Sequence, residues 1–343
     1  MLLIEVQFKF RFMGVFELGN TATVSSPLGS DRSGILSRGR GIWYVALGAT
    51  LWGVDPLFRI LLLEQFSSAQ IVFVEHLLLA LYSVPVLIHY RNQLAGKLTL
   101  GVVGALLFIS WGGSALATVM FTAAFSYGNF NAVLLLQKLQ PLFAILLARF
   151  ILKEALPQRF SVFLLLALAG TYLLTFGFSS PALGLHELAT FGCLLSIAAA
   201  ALWGGSTVMG KYLLSKQMSF HHVTALRFML AIPLLGVIVL AAGDSWKPLG
   251  GGDAAVILLV NLLFQAFIPG LLSMLLYYKG LSSTKASLAT LAELAFPAVG
   301  VLINWIVFDQ ALTAGQIVGF LLIWTVLVLL SRSSSRQSAQ PVG

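Results

Sequence analysis

Residues 49–53 read Ala49-Thr50-Leu51-Trp52-Gly53, and 151 positions later residues 200–204 read Ala200-Ala201-Leu202-Trp203-Gly204. Other landmarks return in the same order. Pro141, followed by Glu154-Ala155-Leu156, is echoed at an offset of 156 by Pro297, followed by Gln310-Ala311-Leu312. Gly128 and Gly280 stand at matching corners of the two segments. Self-similarity of this length marks an internal duplication, so the chain divides into two related halves.

What surrounds the repeat sets the solvent. Hydrophobic residues make up 59% of 343 and charged residues only 9%, against about 25% charged in a soluble domain. The mean hydropathy is +0.95. So little charge cannot cover a water-facing surface, and most of the exterior must face lipid. The net charge of +8 falls mainly between apolar runs, where it reads as membrane topology and not as a nucleic-acid surface. The single cysteine, Cys193, has no partner for a disulfide or a Cys-based metal site.

Each spanning helix needs about 20 mainly apolar residues. Such runs lie at 41–63, 69–90, 99–126, 130–152, 159–178, 188–214, 222–242, 253–279, 285–308 and 313–331. The expected fold class is an all-α membrane protein of ten transmembrane helices. Residues 1–40 read as a disordered cytoplasmic tail, 41–178 as the first five-helix unit, 188–331 as the second and 332–343 as a second tail. With the amino terminus inside, fifteen of the twenty Lys and Arg residues fall on cytoplasmic segments. Both termini are therefore expected in the cytoplasm, at the plasma (inner) membrane. An odd number of helices per half makes the halves inverted repeats, an architecture of secondary transporters with the solute site near the midplane.

The doubled Ala-x-Leu-Trp-Gly opening, the mid-helix prolines and Glu154-Ala155-Leu156 resemble the EamA-type branch of the drug/metabolite transporter superfamily over about residues 42–331. The resemblance implies a 5+5 inverted-repeat fold and export or exchange of small metabolites, with no enzyme activity and no cofactor. The sequence departs from the family pattern at Gln310, which stands where Glu154 does in the first half. Of the paired glycines that close each family half, it keeps only Gly170 and Gly319.

Ionisable groups inside a bilayer are costly and mark functional candidates. In the ninth helix Glu293, Pro297, Gly300 and Asn304 lie at steps of 4, 3 and 4, which places them on one face. The fourth helix carries Gln137-Lys138-Leu139-Gln140-Pro141, where Gln137 matches Glu293 and Pro141 matches Pro297. Lys138 needs an anion, either Glu293 or an acidic solute group, and opposite charges on these two helices suit a zwitterion such as an amino acid. In the first helix Trp52, Asp55 and Arg59 share a face, and Asp55 and Arg59 are spaced to neutralise one another. Trp52 and its mate Trp203 read as cavity walls. Glu75-His76 is a candidate proton-coupling pair, and Arg227 reads as a positioning or lipid-facing charge near the cytoplasmic side. By the family resemblance, Trp111, Phe125, Tyr277 and Tyr278 fall on cavity-lining helices. Gly315-x-x-x-Gly319 suits a helix–helix contact or a weak dimer, with a monomer as the alternative. No metal site is expected, since His221-His222 lacks further ligands at suitable spacing.

The sequence thus points to a secondary transporter moving an amino-acid-like solute by alternating access, as an exporter. The alternatives are an exchanger of nucleotide-sugar or phosphorylated metabolites, an intramembrane enzyme and a channel. Its partners are a small-molecule solute, the lipid bilayer and coupling protons, with no nucleic acid.

Overall fold

The computed structural model describes residues 30–94, 96–128, 130–156, 159–179, 190–246, 251–308 and 311–337. Lys247, Gln310, residues 1–29 and 338–343, and the side chains of Phe125 and Asn304 lie outside what is described. Apolar runs bounded by caps become helical rods: α1 (Ser30–Leu63), α2 (Ser68–His89), α5 (Phe160–Phe176), α6 (Phe191–Ser215), α7 (Phe220–Ala242) and α10 (Ala314–Gln337) are continuous. Helix α1 begins at Ser30, inside the segment expected to be a disordered tail, and α10 runs on to Gln337. Ser67 caps α2 through the Gln70 N–H, and Ser219 caps α7 through the His222 N–H. These caps stand at an offset of 152, so the duplication extends to the helix starts.

The remaining rods are irregular, and in matching ways. Helix α3 runs as Leu100–Leu107, a wider π-helical stretch Phe108–Leu116, then Ala117–Tyr127. Helix α8 repeats this as Asp253–Gln265, π-helical Ala266–Leu272 and Ser273–Ser283. Pro269 removes a donor within the second stretch, and Gly112-Gly113 loosens the first. Helix α4 breaks into Phe130–Gln137 and Gln140–Ile151, and α9 into Ala286–Ala292 and Ala295–Phe308. A proline ring clashes with the carbonyl four residues before it. For Pro141 and Pro297 those carbonyls belong to Gln137 and Glu293, where each rod is interrupted.

Among the described residues seven helices are long and apolar enough to cross a membrane, and Gln140–Ile151 and Phe160–Phe176 are shorter apolar helices. Breaks in α4 and the 17-residue length of α5 keep these rods below a full uninterrupted span. The outward-facing side chains are apolar, with Leu100, Leu240 and Phe150 among the most exposed, as a lipid-facing surface requires.

Close backbone contacts interlock the two halves. A Cβ on Gly53 (α1) would meet the Phe296 carbonyl (α9) at 2.7 Å, and one on Gly204 (α6) would meet the Gln140 carbonyl (α4) at 2.7 Å. Gly41 packs on Gly280 of α8 as Gly192 packs on Gly128 of α3. Gly280 therefore sits inside a rod against a neighbouring backbone and not at a corner. The retained Gly170 and Gly319 meet where α5 crosses α10, and Gly315 packs on Gly177. The Gly315-x-x-x-Gly319 motif is thus used within the chain.

The Glu154 motif also bridges the halves. Its carboxylate accepts from the Ala286 N–H (2.8 Å), the Ser287 N–H (3.1 Å) and the Ser287 hydroxyl (2.8 Å), which caps the first turn of α9. A carboxylate at a helix amino terminus satisfies orphan donors and opposes the helix dipole.

Candidate solute cavity

The irregular rods surround a cavity of about 360 Å³ between the halves. Both π-helical stretches contribute to its lining, through Gly113 and Ser114 of α3 and Pro269 and Gly270 of α8. Such stretches recur at functional sites because they displace backbone and side chains from the regular register. Aromatic side chains from four rods form walls: Trp52, Trp203, Phe228 and Phe296. Trp52 packs on Tyr277 with ring centroids 5.2 Å apart. The Trp203 indole N–H donates to the Gly113 carbonyl at 3.0 Å, which fixes that ring.

Two charged clusters lie in the lining. In the first, Arg59 binds Asp55 through Nε (2.6 Å) and Nη2 (2.9 Å) and reaches Glu75 through Nη2 (3.2 Å). Gln265 of α8 donates its amide Nε2 to Asp55 Oδ1. The sequence pairing of Asp55 with Arg59 is present, enlarged by Glu75. His76 does not join its neighbour; its Nδ1 donates to the Val72 carbonyl at 2.8 Å.

In the second cluster Glu293, at the break in α9, receives three neutral donors: Gln140 Nε2 (2.7 Å), Thr207 Oγ1 (3.0 Å) and the Tyr277 hydroxyl (2.8 Å). Gln137 donates to Gln140 Oε1 at 3.2 Å, extending the network to the break in α4. Arg227 is buried in the lining and not lipid-facing. Its Nε donates to Ser114 Oγ and its Nη1 to the Tyr278 hydroxyl, each at 2.8 Å. Among the described residues no carboxylate lies within ion-pair distance of it. The cavity therefore holds three carboxylates (Asp55, Glu75, Glu293) and two guanidiniums (Arg59, Arg227).

Of the residues singled out in the sequence, Trp52, Asp55, Arg59, Glu75, His76, Gln137, Trp203, Tyr277 and Glu293 line this one cavity, as does Arg227. Others lie elsewhere. Trp111 is 42% exposed, and its indole N–H donates to the Leu230 carbonyl at 2.8 Å; the wide turn of its π-helical stretch moves it off the cavity face. Lys138 forms no ion pair with Glu293. It sits in the interruption of α4, where its ammonium lies 5.3 Å from the centroid of the Phe296 ring. Together with Pro141 and Pro297 it lines a side crevice of about 40 Å³. Gln265, Gln140, Ser114 and the cavity role of Arg227 escaped the sequence reading. Arg227 stands 152 residues after Glu75, the offset of the two serine caps, and that register was the available signal.

The sequence profile of the EamA-like transporter family matches residues 39–176 and 190–332. The chain belongs to that family. Riboflavin transporter ImpX of Fusobacterium nucleatum subsp. nucleatum is 33% identical over 302 residues, covering 85% of this chain and 98% of its own length. Uncharacterized transporter YoaV of Bacillus subtilis (strain 168) is 24% identical over 197 residues, covering 57% of this chain and 65% of its own. One solved crystal structure, 14% identical, superposes with a TM-score of 0.66 over 92% of this chain and all of its own, which establishes the shared fold. As an EamA-like protein the chain is an integral, multi-pass membrane transporter and not an enzyme.

Proposed function

We propose that this EamA-like transporter moves a flat, uncharged heteroaromatic solute of the riboflavin kind through the cavity between its halves. The observation that carries the reading is the lining itself: a chamber of drug-sized volume, walled by Trp52, Trp203, Phe228 and Phe296, suited to stacking on a planar ring. The similarity to a riboflavin transporter along nearly its whole length supports it. With three carboxylates against two guanidiniums in the lining, a phosphorylated or nucleotide-sugar solute meets unfavourable charge. In this reading the ten rods cross the membrane as two inverted five-helix units, 41–178 and 188–331, with both termini cytoplasmic. Rocking of the interlocked halves opens the cavity to one side at a time.

An amino-acid-like solute is the second reading, favoured by one arrangement: Glu293 and Arg227 line the same cavity without pairing to each other. Counterflow in proteoliposomes separates the two. Riboflavin loaded inside should drive uptake of labelled riboflavin, with flavin mononucleotide inactive. Amino-acid counterflow without flavin counterflow would replace the first reading with the second. Loading the vesicles from either side assigns direction, for which the sequence predicts export.

A further inference from the structure

Glu293, Thr207 and Tyr277 meet in a closed triangle. The Tyr277 hydroxyl lies 2.8 Å from Thr207 Oγ1 and 2.8 Å from Glu293 Oε1, and Thr207 Oγ1 lies 3.0 Å from the same carboxyl oxygen. The three side chains are buried and come from α8, α6 and the interruption of α9. Three hydrogen-bonding contacts need three protons, yet the two hydroxyls supply only two. With Glu293 ionised, both hydroxyls turn to it, and their own oxygens are left 2.8 Å apart with no proton between them.

The surroundings offer no charge to hold the ionised form. Among the described residues no cation lies within ion-pair distance of Glu293. Lys138 of α4 shares the side crevice with Glu293 but lies over the Phe296 ring. Arg227 of α7 is bound to Ser114 and Tyr278. Arg59 of α1 is bound by Asp55 and Glu75, and His76 of α2 is turned to the Val72 carbonyl. Helices α5, α6 and α10 also pack near α9 and bring no titratable side chain to either cavity. An unpaired charge at that depth is costly, and the group neutralises by taking a proton.

We infer that Glu293 is a proton-binding site: in this conformation it is a neutral carboxylic acid that exchanges its proton with water of the solute cavity, which it lines. The added proton closes the ring. Tyr277 donates to Thr207, Thr207 to Glu293 Oε1, and Oε1 in turn donates to Tyr277. Oε2 is then the carbonyl oxygen of the acid and accepts from Gln140 Nε2 at 2.7 Å. Proton and solute share one chamber, whichever solute that is. Protonation leaves two carboxylates against two guanidiniums in the lining, a balance that still offers a phosphorylated solute no excess of positive charge.

Infrared spectroscopy of the purified full-length protein in dodecyl maltoside, a detergent without ester carbonyls, tests the site. At neutral pH the spectrum should contain the C=O stretch of a protonated carboxyl, separate from the carboxylate bands of the ionised side chains. The band should move to lower frequency in heavy water and fade as pH rises. In Glu293→Gln, whose amide N–H takes the place of the acid O–H, it should disappear. In Glu293→Asp, which shortens the side chain by a methylene, it should shift; this variant decides the assignment if the first does not fold. A parent spectrum without the band overturns the site, with no variant needed. A band that keeps its place in heavy water marks a proton sealed from the cavity and also overturns it. So does a band that persists unmoved in a folded variant, because the proton then belongs to another carboxyl.

Discussion

At Gly53 and at Gly204 the two halves make the same contact, each glycine of a first helix seated so closely that a Cβ there would meet a carbonyl in the other half at 2.7 Å. At the cavity the halves diverge. The helix α2 position carries Glu75 and its counterpart in α7 carries Arg227, 152 residues on. One charge cluster is closed by direct ion pairing around Arg59. The other spreads Glu293 and Arg227 over neutral hydroxyls and amides. Duplicated scaffolds thus preserve what backbone packing demands, while the polar lining is free to differ.

The largest effect should come from the paired cluster. Arg59→Ala leaves the half-buried Asp55 and the buried Glu75 without their counter-charge, a change expected to cost about 3 kcal/mol of stability and to appear as a large fall in thermal unfolding temperature in detergent. Removing one carboxylate as well, in Arg59→Ala with Glu75→Gln, should recover part of that loss. No recovery would mean that the cluster is not organised by charge.

Next come the matched glycines. Gly53→Ala and Gly204→Ala each push a methyl into a backbone carbonyl and should destabilise by about 1–3 kcal/mol, to similar extents. A strongly unequal pair would break the equivalence of the two interfaces. Glu154→Ala, which uncaps α9, should cost about 1 kcal/mol. Lys285, whose ammonium donates to the Ala155 carbonyl, remains to hold the loop.

The smallest stability effect is the sharpest contrast. Arg227→Met removes a charge that among the described residues is hydrogen-bonded to the Ser114 and Tyr278 hydroxyls and should stay within about 1 kcal/mol of the parent, yet solute flux in proteoliposomes should fall steeply. A loss as large as that of Arg59→Ala would show that the two clusters are held in the same way.

Much of this architecture was legible in the residues. The offset between Trp52 and Trp203 sets the equivalence of α1 and α6, and the prolines at 141 and 297 mark where α4 and α9 break. What sequence spacing misplaced depended on irregular backbone. The family resemblance places Trp111 on a cavity-lining helix, but within its π-helical stretch its indole N–H reaches the Leu230 carbonyl instead. The spacing sets Glu293 and Pro297 on one stripe, but α9 is interrupted at Glu293 and Pro297 lines the side crevice, not the main cavity. Lys138 was matched to Glu293 by charge, but the interruption in α4 lays it on Phe296 instead. Gln265 became visible only through apposition across 210 residues to Asp55, a contact no local pattern encodes.

The interlocked glycines carry a consequence for biogenesis. Gly41 rests on Gly280, 239 residues further along. At a synthesis rate of about 5–20 residues per second, that separation leaves α1 without its seat for roughly ten to fifty seconds after it emerges from the ribosome. Helix α6 faces no such delay, because α3 and α4, which carry Gly128 and Gln140, precede it. A molecule whose halves end in equivalent contacts is therefore assembled unequally: its first helix is the one that waits in the bilayer and the one most in need of a chaperone or the translocon while it does.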